Sequence, residues 1–207
     1  MRIIRFRIWW DFYFFKSNRI GVHEMEIIKM IKRIFMILAF TVFALSTTVS
    51  AAPFGETEDI TYSQNLWSAM VNAGYVGPNS IMSQPYTGTP PHGKILDTFD
   101  STVTVNGTTG AVIIKRNYGG PDVSIENVAN EPAKYLKAVT VMFKRSGFDP
   151  EDKDWFWVKF KPDGSLHENG KGMKLAGKIA KGMPKGCIAC HKSAPGGDFM
   201  FKNDRIK

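Results

Sequence analysis

The chain has 207 residues, with 27 lysines and arginines against 19 aspartates and glutamates, a formal charge of +8, and only two cysteines. Residues 1–51 carry 8 of the basic and 3 of the acidic residues, which leaves 19 against 16 and a net charge of only +3 for the rest. That small excess, with no aromatic–basic interleave, gives no basis for nucleic-acid binding, and the remaining 156 residues suffice for one domain with one core.

The N-terminal region reads as a targeting segment. Lys29, Lys32 and Arg33 precede an unbroken apolar run, Ile34 to Leu45, and small polar residues follow from Ser46 to Ala52. Basic, apolar and small in that order is the pattern of a secretory signal peptide, with Val49-Ser50-Ala51 as the cleavage site. The apolar run is short for a spanning helix, which needs about 20 residues; an uncleaved anchor is the alternative. Residues 1–24 form a leader too long and too aromatic for such a peptide, so translation is expected to start at Met25 or Met30. The domain division is then 1–51 for leader and signal and 52–207 for one exported, periplasmic domain that meets a membrane only through its signal segment.

Residues 53–60 read as a flexible lead-in. Tyr62 to Ala73 reads as a helix, because Leu66, Trp67, Met70 and Val71 recur at helical spacing and Gly74 suits the stop. Gly77 to Lys94 is rich in Pro, Gly and Ser and reads as a long loop. Thr102 to Val105 and Ala111 to Lys115 flank Asn-Gly-Thr-Thr-Gly and predict a hairpin. Ala138 to Lys144 predicts a third strand. Asp154 to Phe160 predicts a fourth, ended by the turn Pro162-Asp163-Gly164. Trp155 and Trp157 share one face of that strand, and Phe156, Val158 and Phe160 the other, so both faces are expected to be covered. Gly172 to Met183 reads as a weak, glycine-broken helix. The fold class is α+β: a mainly antiparallel β-sheet with flanking helices.

The two cysteines stand in Gly-Cys-Ile-Ala-Cys-His-Lys, Gly186 to Lys192. A disulfide of that spacing constrains little of the chain. A thioredoxin-like redox pair belongs at a helix start in a βαβ setting, and no parallel-sheet pattern surrounds these cysteines. A structural zinc site needs four ligands, and only the distant His92 and His167 could join. Covalent haem c attachment accounts for all three residues: Cys187 and Cys190 add to the two haem vinyl groups, and His191 ligates the iron. It also fits an export signal, since stray thiols invite wrong disulfides outside the cytoplasm. Only 16 residues follow His191, which rules out the arrangement of small electron carriers with their motif near the N-terminus. The strand pattern argues against a four-helix cytochrome.

The late haem motif followed by Asp198-Phe199-Met200-Phe201, the strand Gly110 to Lys115, and Asp154-Trp155-Phe156-Trp157 resemble the cytochrome P-460 family, whose relatives include the β-sheet cytochromes c′-beta. The resemblance spans roughly residues 90 to 201. It implies one haem c, a β-rich and usually dimeric fold, and hydroxylamine oxidation or nitric oxide chemistry at the iron. Lys115 stands where that family cross-links a lysine to the haem. The alternative for Lys115 is a solvated strand end beside Arg116. Relatives without the cross-link bind nitric oxide, so a binding or electron-transfer cytochrome without catalysis is the second reading.

For the other side of the iron, His92, His167, Met173, Met183 and Met200 are the candidate ligands. None has a ligand-like sequence context, so a five-coordinate iron is expected. Hydroxylamine oxidation needs a base; Glu131 and Asp198 are the candidate carboxylates, with surface turns as their alternative. Phe143, Trp155, Trp157 and Phe160 are expected either to wall the haem or to fill the sheet core. Six lysines and no acid lie from Lys171 to Lys192; they suggest docking of an acidic redox partner, or simply a solvated, glycine-broken segment.

Overall fold

A computed structural model describes residues 25–33 and 54–201. The chain divides into two compact units, Met1–Val49 and Ser50–Lys207. In the first, residues 25–33 are helical; the leader 1–24 and the apolar run 34–45 lie outside the described residues. Among the described residues no helix is long and apolar enough to cross a membrane.

The second unit is built on a six-stranded antiparallel sheet whose strands lie side by side in chain order. They are β1 (Tyr86–Thr87), β2 (Ile95–Val105), β3 (Thr108–Tyr118), β4 (Leu136–Lys144), β5 (Trp155–Phe160) and β6 (Ala176–Gly177). Helix α1 (Thr57–Asn72) precedes the sheet, the short helices α2 (Ile125–Asn130) and α3 (Pro132–Tyr135) join β3 to β4, and α4 (Cys187–His191) follows β6. This is the α+β architecture with flanking helices expected from the sequence.

The β2–β3 hairpin closes through Asn106 and Gly107, both at positive φ (50° and 80°), with Val105 opposite Thr108. Asn-Gly supplies the left-handed pair that a two-residue hairpin loop matching strand twist requires. Both strands run beyond the predicted bounds, because polar residues such as Asp97, Arg116 and Asn117 are paired within the ladder and buried. Gly110 is needed in β3: a Cβ there would lie 2.2 Å from the Lys144 carbonyl oxygen and 2.9 Å from the Phe143 ring.

Strand side chains alternate between faces, and here both faces are covered. On one, Tyr62, Leu66 and Met70 of α1 pack on Val112, Ile114, Val139, Val141, Phe143, Phe156, Val158 and Phe160. On the other, Ile113, Met142, Trp155 and Trp157 meet Ile179, Ile188 and Phe199 from the chain after β6. The helix starts at Thr57 rather than Tyr62, since the polar turn Thr57-Glu58-Asp59 places acids at a helix N-terminus. Residues 172–183 are not helical: they form β6 and a series of turns, because Gly177 and Gly182 sit at positive φ, which a helix does not accommodate.

Candidate functional site

Helix α4 carries the cysteine motif against the second face of the sheet. It is entered through Gly186, the capping residue before Cys187, whose φ is 138° and where a Cβ would lie 2.4 Å from the Ala180 Cβ. Cys187 and Cys190, three residues apart on one side of the turn, are free thiols and exposed. Ile188 and His191 are buried. Two solvent-reachable sulfurs one turn apart are what thioether formation needs.

His191 is only 7 % exposed. Its Nδ1 lies 2.7 Å from the Phe199 carbonyl oxygen, an acceptor only, so Nδ1 carries the hydrogen and donates it. Nε2 is left with its lone pair, the form that binds a metal. Burial holds the ring below the ordinary histidine value; the Phe199 bond opposes this and the charge of Lys115 adds to it. Trp157 and Phe201 flank the ring at 4.9 and 5.3 Å between centroids. Trp157 is buried, and its Nε1–H has no acceptor among the described residues, an orphaned donor beside the imidazole.

Lys115 shares the face of Ile113 and Ala111 on β3, the same side of the sheet as His191. It is half-buried, and burial pulls its ammonium below the ordinary lysine value. No ion pair of Lys115 occurs among the described residues. Along the ladder Lys115 lies between Thr98 and Thr140, and Thr140 is followed by Lys159. The neighbouring Arg116 points the other way, into a buried bidentate pair with Asp97 (2.8 and 2.5 Å).

The structure also brings in His92, one of the candidate ligands without a ligand-like sequence context, from its loop. Its ring centroid is 6.2 Å from that of His191, and its Nδ1 is 3.1 Å from Asn117 Oδ1. Burial, and next the charge of Lys115, push its imidazole down to about 4. The only sequence hint was the pair of glycines, Gly88 and Gly93, bracketing the loop.

The remaining sequence candidates lie as follows. Glu131 is exposed at the α2–α3 junction and paired with Lys134 at 2.8 Å. Asp198 is near α4 but paired with Lys144 at 2.7 Å, while its carbonyl accepts from Trp155 Nε1 at 3.0 Å. His167 is half-buried with Nε2 3.4 Å from the Lys137 carbonyl, Met183 is exposed, and Met200 packs on the cluster beneath α4. Of the four aromatics, Trp155 and Trp157 lie on the His191 side, whereas Phe143 and Phe160 belong to the core under α1. Strand alternation decides this split. Of the six lysines, Lys174 pairs with Glu168, Lys181 with Asp149, Glu151 and Asp152, Lys192 with Asp152 at 2.8 Å, and Lys178 lies 4.0 Å from Asp149.

The residues present fit a covalently bound haem: uncommitted thiols, a neutral buried imidazole with its Nε2 bare, and an unpartnered indole N–H beside it. Such a site laid against an antiparallel sheet, with the attachment motif on the last helix, defines a β-sheet cytochrome of the c type. The family model for cytochrome P460 matches residues 97–202, just over half of the chain. The chain belongs to this family and is a haem c cytochrome. No curated protein and no solved structure matches it.

Proposed function

We propose that the protein is exported to the periplasm, where its haem c handles small nitrogen oxides, oxidising hydroxylamine or converting nitric oxide. The haem supplies one-electron chemistry and an iron coordination position for the nitrogen ligand. Cys187 and Cys190 hold it, and His191, fixed by its Nδ1–H bond to Phe199, ligates the iron. An iron with no sixth protein ligand would leave a position for substrate.

The observation that carries the reading is Lys115. A half-buried amine without an ion pair, on the His191 side of the sheet, has its neutral nucleophilic form favoured by burial. That suits the family's covalent link between lysine and macrocycle. Electrons pass on to a redox partner; among the six lysines of the tail, Lys171 and Lys185 have no ion pair with any described residue and are left to face an acidic one. The domain works as a homodimer, as its relatives usually do.

A specific observation favours the second reading, a nitric oxide-binding or electron-transfer cytochrome without catalysis. Glu131 and Asp198, the carboxylates suited to deprotonating hydroxylamine, are each engaged by a lysine. One experiment separates the two. Holoprotein from a host competent in haem c assembly is digested and its haem peptides weighed, and hydroxylamine is added to the intact protein. A haem peptide bearing both Lys115 and the cysteine segment, lost in Lys115→Ala, together with hydroxylamine turnover, supports the oxidase. Haem held by cysteines alone, without turnover, supports the binder.

A further inference from the structure

We propose that His92 is the resting sixth ligand of the haem iron, opposite His191, and that small ligands reach the metal only by displacing it. The inference rests on the haem c assignment and not on hydroxylamine chemistry. It changes the five-coordinate expectation to a six-coordinate resting state from which the five-coordinate state is released.

The argument begins with Asn117, a buried side chain on β3. Its Nδ2 lies 2.8 Å from the Lys115 carbonyl and 3.3 Å from the Ala138 carbonyl. Carbonyls only accept, so these contacts fix which end of the amide is nitrogen. Oδ1 therefore faces the other way, where it accepts the Gly93 N–H at 3.1 Å. The His92 Nδ1 that lies 3.1 Å from the same Oδ1 must then be the donor. His92 is locked in the tautomer with Nε2 bare. His191 is locked in the same tautomer by Phe199, and no described residue hydrogen-bonds either Nε2.

Separation is the second observation. A metal–imidazole bond of about 2.0–2.1 Å on each side of one metal puts two ring centroids roughly 6 Å apart. The His92 and His191 centroids are 6.2 Å apart.

The loop that presents His92 is built to hold it. Gly88 N–H donates to the Lys94 carbonyl at 2.9 Å and His92 N–H to the Thr89 carbonyl at 3.1 Å. A Cβ on Gly88 would lie 2.0 Å from the Gly93 carbonyl oxygen, and one on Gly93 2.6 Å from the Tyr118 backbone nitrogen. Thr140 Oγ1, 3.4 Å from His92 Nδ1, closes the same side. Displacement then needs only the His92 ring to turn about its own side-chain bonds, giving up the Asn117 bond, while the loop backbone stays in place. Asn117 is the positioning residue, joining the loop to the strand that also bears Lys115.

The test uses ferric holoprotein near neutral pH. Wild type is expected to show the low-spin absorption and EPR of iron with two axial imidazoles. His92→Ala is expected to be high-spin and, once reduced, to bind carbon monoxide roughly tenfold faster or more, because no fraction is capped. Asn117→Ala is expected to be a mixture, its high-spin share raised while His92 is still present. Pulsed EPR on wild type counts axial imidazoles directly and stands even if His92→Ala loads haem poorly. One imidazole only, or a low-spin spectrum that survives His92→Ala, overturns the proposal. Either result leaves hydroxylamine turnover and the Lys115 link to be judged separately.

Discussion

Asp59 shows how one buried group sets a pH response. It lies in α1 against β6, where a Cβ on Gly177 would be 2.0 Å from its Oδ2. Burial lifts its carboxyl from the ordinary 3.8 to about 6, against the pull of the Arg145 guanidinium. Only between about 4 and 6 does the folded chain keep a proton that the unfolded chain has lost; above that both are ionised, and the buried charge opposes folding in full at neutral pH. Its penalty fades as pH falls through about 6 towards 4. Asp59→Asn removes the titration. Urea midpoints of both proteins, taken at about pH 7 and about pH 4.5, should show the variant's relative advantage to be larger at the higher pH. An equal difference at both values contradicts the role given to burial here.

At the scale of the element, α4 depends on how it starts. A one-turn helix has little stability of its own, so Cys187, Cys190 and His191 are placed by what surrounds them: Gly186 against Ala180, and the returning chain that brings the Phe199 carbonyl to His191. Gly186→Ala combines an unfavourable φ of 138° with a collision at 2.4 Å. The collision lies in the chain after β6, outside the strand ladder itself. The variant should keep the far-ultraviolet signature of the sheet and lose much of its covalent haem, read as haem absorbance per mole of purified protein. Full loading would mean that α4 tolerates a shift of the loop before it.

For the whole molecule the sheet acts as a partition. One face holds the α1 core and no group proposed to touch haem; the other holds Ile113, Met142 and Trp157 under the motif. Stability and haem environment should therefore separate by mutation. Leu66→Ala, at a fully buried position, should cost about 2–5 kcal/mol and leave the absorption spectrum of the folded holoprotein unchanged. Ile113→Ala should also destabilise, but should shift that spectrum. A spectral change from Leu66→Ala of the size seen with Ile113→Ala would show that the partition fails.

Much of this architecture was written in local pattern. The strands of β4 and β5 follow from period-two alternation, the hairpin from Asn106-Gly107, and the haem attachment from the spacing of Cys187, Cys190 and His191, since thioether chemistry depends on neighbours along the chain. Only the tertiary structure decided what depends on distant pairings. Lys115 and Arg116 look alike in sequence, yet the pleat sends one to the haem side and the other into a buried pair with Asp97. The carboxylates Glu131 and Asp198 looked available and are each held by a lysine. His92, 99 positions before His191, stood among five candidate ligands with nothing but the bracketing Gly88 and Gly93 to set it apart. Its orientation is fixed by Asn117, and its place by a ladder register that no short window of sequence contains.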